Sequence, residues 1–263
     1  MRAFRDVLER DVPYEIPPRQ ENRFNRLCSM GYVFVKLGET PTVTIPNELR
    51  RLSASLLTDA LEETRRRVQW VMACLNEIVP PYYAILPLKK FCRLCRRTGD
   101  PVLESEAVPG LLDLIPERYR SCVVTDTEVY AKELDEEQGL YEFVVDAHQG
   151  KPCCIMRQSE IAELLEYGYP VNETSYRRVR RFLVERAGVT AEKADSFNAR
   201  ACAYFANGYG FSAISELLTE FRINLRKSQM MELLSLIQDA ANHTPTFLNR
   251  GYTPEAMRRA TTR

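Results

Sequence analysis

Cys92-Arg93-Leu94-Cys95 places two thiols at metal-ligand spacing. A tetrahedral zinc site takes four ligands, commonly two such pairs or one pair with histidines at set spacing. The only adjacent thiols elsewhere are Cys153 and Cys154, which have the wrong spacing, and the histidines number 2, His148 and His243. The ligand arithmetic fails. Leu88, Phe91, Cys92 and Cys95 also fall on one apolar helical stripe, where a free cysteine packs as a small hydrophobe. A redox pair of the thioredoxin kind would sit beside a βαβ pattern, and none surrounds this one. No metal ligand and no cofactor are therefore nominated.

Positive charge is the second candidate chemistry. Lys89, Lys90, Arg93, Arg96 and Arg97 share one expected helix and meet no acidic residue until Asp100. Arg177, Arg178, Arg180 and Arg181 crowd another, whose inward side is Tyr176, Val179, Phe182 and Leu183. Such patches can follow a phosphate backbone, which supplies most nonspecific nucleic-acid affinity. Glu173 and Glu185 stand one turn from Arg177 and Arg181, so pairing is expected there and Arg178 and Arg180 are expected to be free. Arg65, Arg66 and Arg67 follow Glu62 and Glu63 at pairing distance and read as a solvated helix face. Base reading belongs to the later helix of a DNA-binding module, and here that segment, Ser105 to Leu114, carries Glu106 and Asp113 and no base.

Catalytic signatures are missing. The chain has no glycine-rich phosphate loop, no GxSxG and no HExxH. The carboxylate pairs, Glu62-Glu63 and Asp135-Glu136-Glu137, lie in charged and solvated contexts. His243 precedes Thr-Pro at a helix end, a position that suits capping of carbonyls better than proton transfer. No catalytic residue is nominated.

These residues depend on a succession of short elements. Helices are expected over 2–10 and 22–30, with Pro13 to Pro18 as an interruption. Two strand-forming runs, 32–37 and 42–45, flank a Gly-Glu-Thr-Pro turn. Apolar residues from Leu49 to Val79 recur at helical spacing, as one long helix or as two with a break near Thr64, closed by Pro80-Pro81. Helices over 86–97 and 103–114 then lead to a hairpin of 121–125 and 128–131. Segments 141–145 and 153–156 read as short strands or extended linker. Helix followed by hairpin, twice over, suggests winged-helix-like units and a distant duplication. Beyond them the chain reads as helical over 159–167, 172–186, 190–206, 212–221, 228–242 and 253–259, with Glu192, Ala194, Phe197, Ala201 and Phe205 facing inward. The expected fold class is mainly α with short β-hairpins (α+β): residues 1–80 as a helix and hairpin region with a long helix, 81–157 as a winged-helix-like module, and 158–263 as a helical domain.

The segment 242–255 is the most distinctive: Asn242, Thr244, Pro245, Phe247, Asn249, Gly251, Tyr252, Thr253, Pro254 and Glu255 pack turn formers, an aromatic and a fresh helix start into a few residues. Asn242 can end the preceding helix in the left-handed region, Phe247 and Leu248 can plug the core, Gly251 permits a strained bend, and Tyr252 can staple onto the last helix. Thr253-Pro254-Glu255 is a cap with proline at the first helical position. The arrangement resembles the closing signature N-x-T-P-x-[WF]-x-N-x-G-[HY]-T-P-x-E of a family of uncharacterised helical bacterial and phage proteins, many with a cysteine-rich SEC-C metal knuckle just downstream. Phe247 stands where that family often has Trp. The resemblance implies a helical fold and no activity; the knuckle is not among the residues up to Arg263, so no knuckle-borne role is expected.

Composition narrows the function classes. Hydrophobic residues make up 45% of 263, enough for a substantial core. Lys+Arg and Asp+Glu balance at 36 each, unlike the basic excess of a dedicated nucleic-acid wrapper. No apolar run is long enough for a membrane span, and the first residues lack the apolar core of a signal peptide. The 8 cysteines then read as reduced thiols, and a cytoplasmic setting is expected. The sequence points to a noncatalytic binding or adaptor protein that docks onto another protein, with no membrane partner. The alternative is a nucleic-acid-associated regulator using the two basic patches.

Overall fold

The structure, a computed structural model, describes residues 7, 8, 14–16, 24, 28, 32–36, 38, 40–56, 59–99, 101–210 and 212–261. It is mainly helical with two small antiparallel sheets, and it divides into two compact units, Met1–Arg65 and Arg66–Arg263.

In the first unit, strands β1 (Tyr14–Glu15), β2 (Phe34–Lys36) and β3 (Thr42–Thr44) form a sheet of order β1-β3-β2. Val43 is the central residue, opposite Tyr14 on one side and Val35 on the other. Residues 14–15, expected only to interrupt, become a strand because β3 offers them an open edge. Val7, Ile16, Phe24, Val33, Val43 and Ile45 are buried together beneath the sheet, and this sets the inward face of each strand. Val7, Leu8, Phe24 and Cys28 are helical, and the rest of the helices expected over 2–10 and 22–30 lies outside the described residues. Helices α1 (Asn47–Leu56) and α2 (Asp59–Ala73) follow. The helix continues through Thr64, whose hydroxyl donates to the Ala60 carbonyl, so the alternative with a break at that residue does not hold.

The second unit begins its core with Trp70 and Val71, continues through a wide helical turn at Cys74–Ile78, and enters α3 (Val79–Tyr82). Pro80 and Pro81 occupy the first turn of α3, where a missing N–H costs nothing, so they start a turn rather than stop a helix. Strand β4 (Ile85–Pro87) precedes α4 (Leu88–Cys95) and so shortens the helix expected over 86–97. The helix expected over 103–114 resolves into a tight turn at Ser105–Ala107 and α5 (Val108–Leu112), with Leu103 paired to Arg97 in an isolated bridge. Strands β5 (Cys122–Val124) and β6 (Glu128–Ala131) form the expected hairpin, with Val123 opposite Tyr130. The sheet order is β4-β6-β5, the same interleaving as in the first unit.

After a short helix α6 (Glu133–Glu136), helix α7 (Leu140–His148) takes in residues 141–145, expected as a short strand or extended linker. Leu140, Val144 and His148 recur every four residues, and burial of that face outweighs the strand preference of Phe143, Val144 and Val145. Residues 153–156 run without regular structure. Helices α8 (Gln158–Tyr167), α9 (Thr174–Glu185), α10 (Ala191–Ala206), α11 (Ser212–Glu220), α12 (Lys227–Asn242) and α13 (Pro254–Thr261) follow the periodicity closely. Ala194, Phe197, Ala201 and Phe205 face inward as expected, whereas Glu192, one position out of step, is exposed. One core runs from Trp70 to Ala240, shared by residues on both sides of 80/81 and of 157/158. Among the described residues, no helix is long and apolar enough to cross a membrane.

Candidate functional site

Helix α4 turns Phe91, Cys92, Leu94 and Cys95 into the core and leaves its charges outside. Lys89 and Arg93 are exposed and Lys90 is half-buried. The other two cations are engaged. Arg96 Nε stands 3.2 Å from a Glu104 carboxylate oxygen. The Arg97 guanidinium lies 5.1 Å from the centre of the Trp70 ring, whose Nε1 donates to the Cys95 carbonyl at 2.8 Å. Of the five cations, two thus have partners within the unit. Glu106 and Asp113 are exposed beside α5, together with the apolar Val102 and Leu114.

On α9, pairing falls on the arginines expected to be free. Arg180 holds Asp195 through Nε at 2.7 Å and a second nitrogen at 3.2 Å, and Arg178 reaches Asp239 at 3.1 Å. Arg177 bonds the Thr174 hydroxyl at 3.3 Å, and Arg181 is exposed. The reason is geometric: Arg178 and Arg180 flank the buried Tyr176–Val179 face, so they overhang the neighbouring helices α12 and α10 where those acids project. Arg180 and, after it, the Tyr169 hydroxyl hold the Asp195 carboxyl below its ordinary range. Nothing in the sequence announced these partners, which lie 15 and 61 positions away.

The cysteines are all free thiols. Cys92 and Cys95 belong to the core stripe, and burial pushes both upward, Cys95 well above an ordinary thiol. Among the described residues, no group of three or more His, Cys, Asp or Glu is arranged to hold a metal ion. Cys202 sits between two buried phenols, with its sulfur 3.8 Å from the Tyr82 oxygen. Burial raises its pKa to about 11, so it is a protonated packing group at neutral pH.

Segment 242–255 is a docked loop. Asn242 is the last residue of α12 and is not left-handed; the positive φ angles fall on Arg250 (53°) and Gly251 (82°). Thr244 is fully buried, donating to the Ala240 carbonyl at 2.8 Å and meeting the Tyr176 hydroxyl at 2.7 Å. Thr246 caps the short turn Phe247–Asn249. Phe247 packs onto a small cluster with Ile85, Ala131 and Val144, as a core plug should. Three carbonyls of the loop find donors on the end of α7 and the segment after it: Phe247 from His148 Nε2 at 2.8 Å, Leu248 from Lys151 Nζ at 2.9 Å, and Arg250 from the Cys154 amide at 3.0 Å. Desolvation lowers the His148 pKa and keeps the ring neutral. His243 caps the end of α12 as expected, with Nδ1 2.8 Å from the Asp239 carbonyl, and its Nε2 lies 2.7 Å from Glu255 of α13.

No family model, no curated protein and no solved structure matches this chain.

Proposed function

We propose that this is a noncatalytic binding or adaptor protein that docks onto another protein. The observation that carries this reading is where the nominated cations go. Arg96, Arg97, Arg178 and Arg180 are held by Glu104, Trp70, Asp239 and Asp195, and they are not offered together to a phosphate backbone. The strand order β4-β6-β5, interleaved with α4 and α5, supports reading this part of the chain as a winged-helix-like unit. In that reading α5 stands where a base-reading helix would, and its surroundings offer Glu106, Asp113, Val102 and Leu114, a surface suited to a protein and hostile to phosphate.

Fluorescence anisotropy against mixed-sequence duplex DNA and single-stranded RNA, at low and near-physiological salt, tests it. No binding at low salt is expected. Micromolar binding that weakens steeply with salt and is lost on Arg93→Ala would overturn it in favour of a nucleic-acid-associated regulator.

A further inference from the structure

His243 stands between two oxygens that can only accept. Its Nδ1 lies 2.8 Å from the Asp239 main-chain carbonyl, and its Nε2 lies 2.7 Å from a carboxylate oxygen of Glu255 on α13. A neutral imidazole carries one N–H, so it can serve one of these oxygens and must turn a lone pair on the other. A ring protonated on both nitrogens serves both. Two carboxylates face the ring, each with an arginine behind it. Asp239 holds one oxygen 3.5 Å from Nδ1 and gives the other to Arg178 of α9, while the second oxygen of Glu255 meets Arg259 of α13. The charges thus run in sequence across three helices, with His243 at the centre.

Helix α13 depends on such a tie. It has 8 residues, fewer than an isolated helix needs to persist in water. Among its described side chains only Met257 is buried, and Arg258, Arg259 and Ala260 are exposed. Thr253 caps its first turn, accepting from the Ala256 amide at 3.1 Å. The contact between His243 and Glu255 therefore carries more of the docking than a polar contact does in a well-buried helix. An open cavity of about 480 Å³, lined by His243, Thr253, Glu255 and Arg259, lies beside the pair. The two side chains are 33% and 31% exposed, so protons reach the ring without any opening of the fold.

We propose that His243 makes α13 a proton-dependent strap, docked while the ring carries its second proton and loosened when that proton passes to solvent. Loss of the proton removes one N–H donor and sets a ring lone pair against either the Glu255 carboxylate or the Asp239 carbonyl. Docking is then strongest in acid and weakens as pH rises across the range in which histidines titrate. The sign is opposite to that of His148, whose desolvated ring resists protonation. His148 weakens the unit in acid, whereas His243 tightens α13 alone, so the two effects are separable by where they are read.

Hydrogen exchange of the α13 amides in the full chain, read by NMR and normalised to the intrinsic rate at each pH, tests the strap. The nitrogen signals of the histidine rings are followed in parallel. Protection over 256–261 is expected to fall about tenfold from the acid to the alkaline end of the histidine range, the worth of one charge-assisted hydrogen bond. The fall is expected to track loss of the proton from the His243 ring. His243→Gln, which cannot gain a charge, is expected to flatten the profile. Glu255→Gln is expected to flatten it too, yet to keep α13 docked at high pH. Its new carboxamide donates to Nε2 of a neutral ring whose Nδ1–H still serves the Asp239 carbonyl. Parent protection that is constant, or that rises with pH, would overturn the strap. So would a Glu255→Gln variant that follows the parent's profile or has lost α13 at every pH. If His243→Gln undocks the helix outright, Glu255→Gln decides alone, since it leaves the end of α12 unaltered.

Discussion

Gly251 lies against the ring of Tyr83: a Cβ on residue 251 would stand 2.5 Å from Tyr83 Cε1 and 2.8 Å from the Cys154 carbonyl oxygen. The contact joins the loop 246–254 to α3 and to the irregular segment 153–156. Gly251 also has a φ of 82°, so its substitution meets both a steric and a backbone cost. Gly251→Ala is expected to lower stability by about 2–4 kcal/mol, the sum of backbone strain and overpacking. A fall in the urea midpoint at unchanged slope would report it. A variant as stable as the parent would mean that Tyr83 moves aside at little cost.

The buried pair Tyr176 and Thr244 ties α9 to the start of the loop through hydroxyls 2.7 Å apart. Tyr176→Phe and Thr244→Val are each expected to cost about 1–2 kcal/mol, with a coupling of about 1 kcal/mol between them in a double-mutant cycle. Thr244→Val is the costlier, since it also removes the donor to the Ala240 carbonyl. Strict additivity would deny that the hydroxyls act on each other.

His148 gives the loop a pH dependence with a definite sign. Desolvation, ahead of all other influences, lowers its pKa from the ordinary 6.5, and the nearby Arg250 and Lys151 act in the same direction. The unfolded chain therefore takes up a proton below about 6.5 that the folded chain refuses. Stability conferred by the neutral ring is complete above that value and is lost as pH falls towards the folded one. The melting temperature is expected to drop between neutral and mildly acidic pH, and to drop less in His148→Gln. Identical pH profiles for the two proteins would show that His148 does not control this window.

Asp195 and Asp239 restrain two arginines, so removing them should raise the affinity of this face for DNA. Asp195→Asn with Asp239→Asn frees Arg180 and Arg178 beside the exposed Arg177 and Arg181. The double variant is expected to bind DNA more tightly than the parent and with a steeper salt dependence, since each added phosphate contact steepens it. Anisotropy on the same probes reads this directly. A titration identical to the parent's would show that internal pairing does not govern how this patch meets DNA.

The thiols should sort by burial. Cys28, Cys153 and Cys154 are half-buried, while Cys74, Cys92, Cys95, Cys122 and Cys202 are buried. Alkylation of the native chain followed by peptide mass analysis is expected to mark the first three well before Cys95 or Cys202. Early labelling of Cys95 would mean that the stripe on α4 opens locally.

The long periodic segments were legible in the residues themselves. Helices α8 to α13 begin and end within about two positions of where spacing and capping put them, the usual uncertainty of a helix end. The hairpin 122–131 and the inward side of α9 were equally readable, because alternation or repeat within one segment already specifies which side must be covered.

What the sequence alone determined, then, is a mainly helical chain with two short hairpins, a neutral overall charge and a signature turn before its last helix. Only tertiary structure decided the strands Tyr14–Glu15 and Ile85–Pro87, which are too short to announce themselves and exist because Val43 and Tyr130 lie opposite them. It also decided that 140–148 is a helix, since burial of Val144 outweighs local preference. It gave Asp195 and Asp239 as partners to Arg180 and Arg178, the two arginines expected to be free. Each of these depends on residues far apart in the chain meeting in space, and a one-dimensional pattern carries no record of which faces will meet.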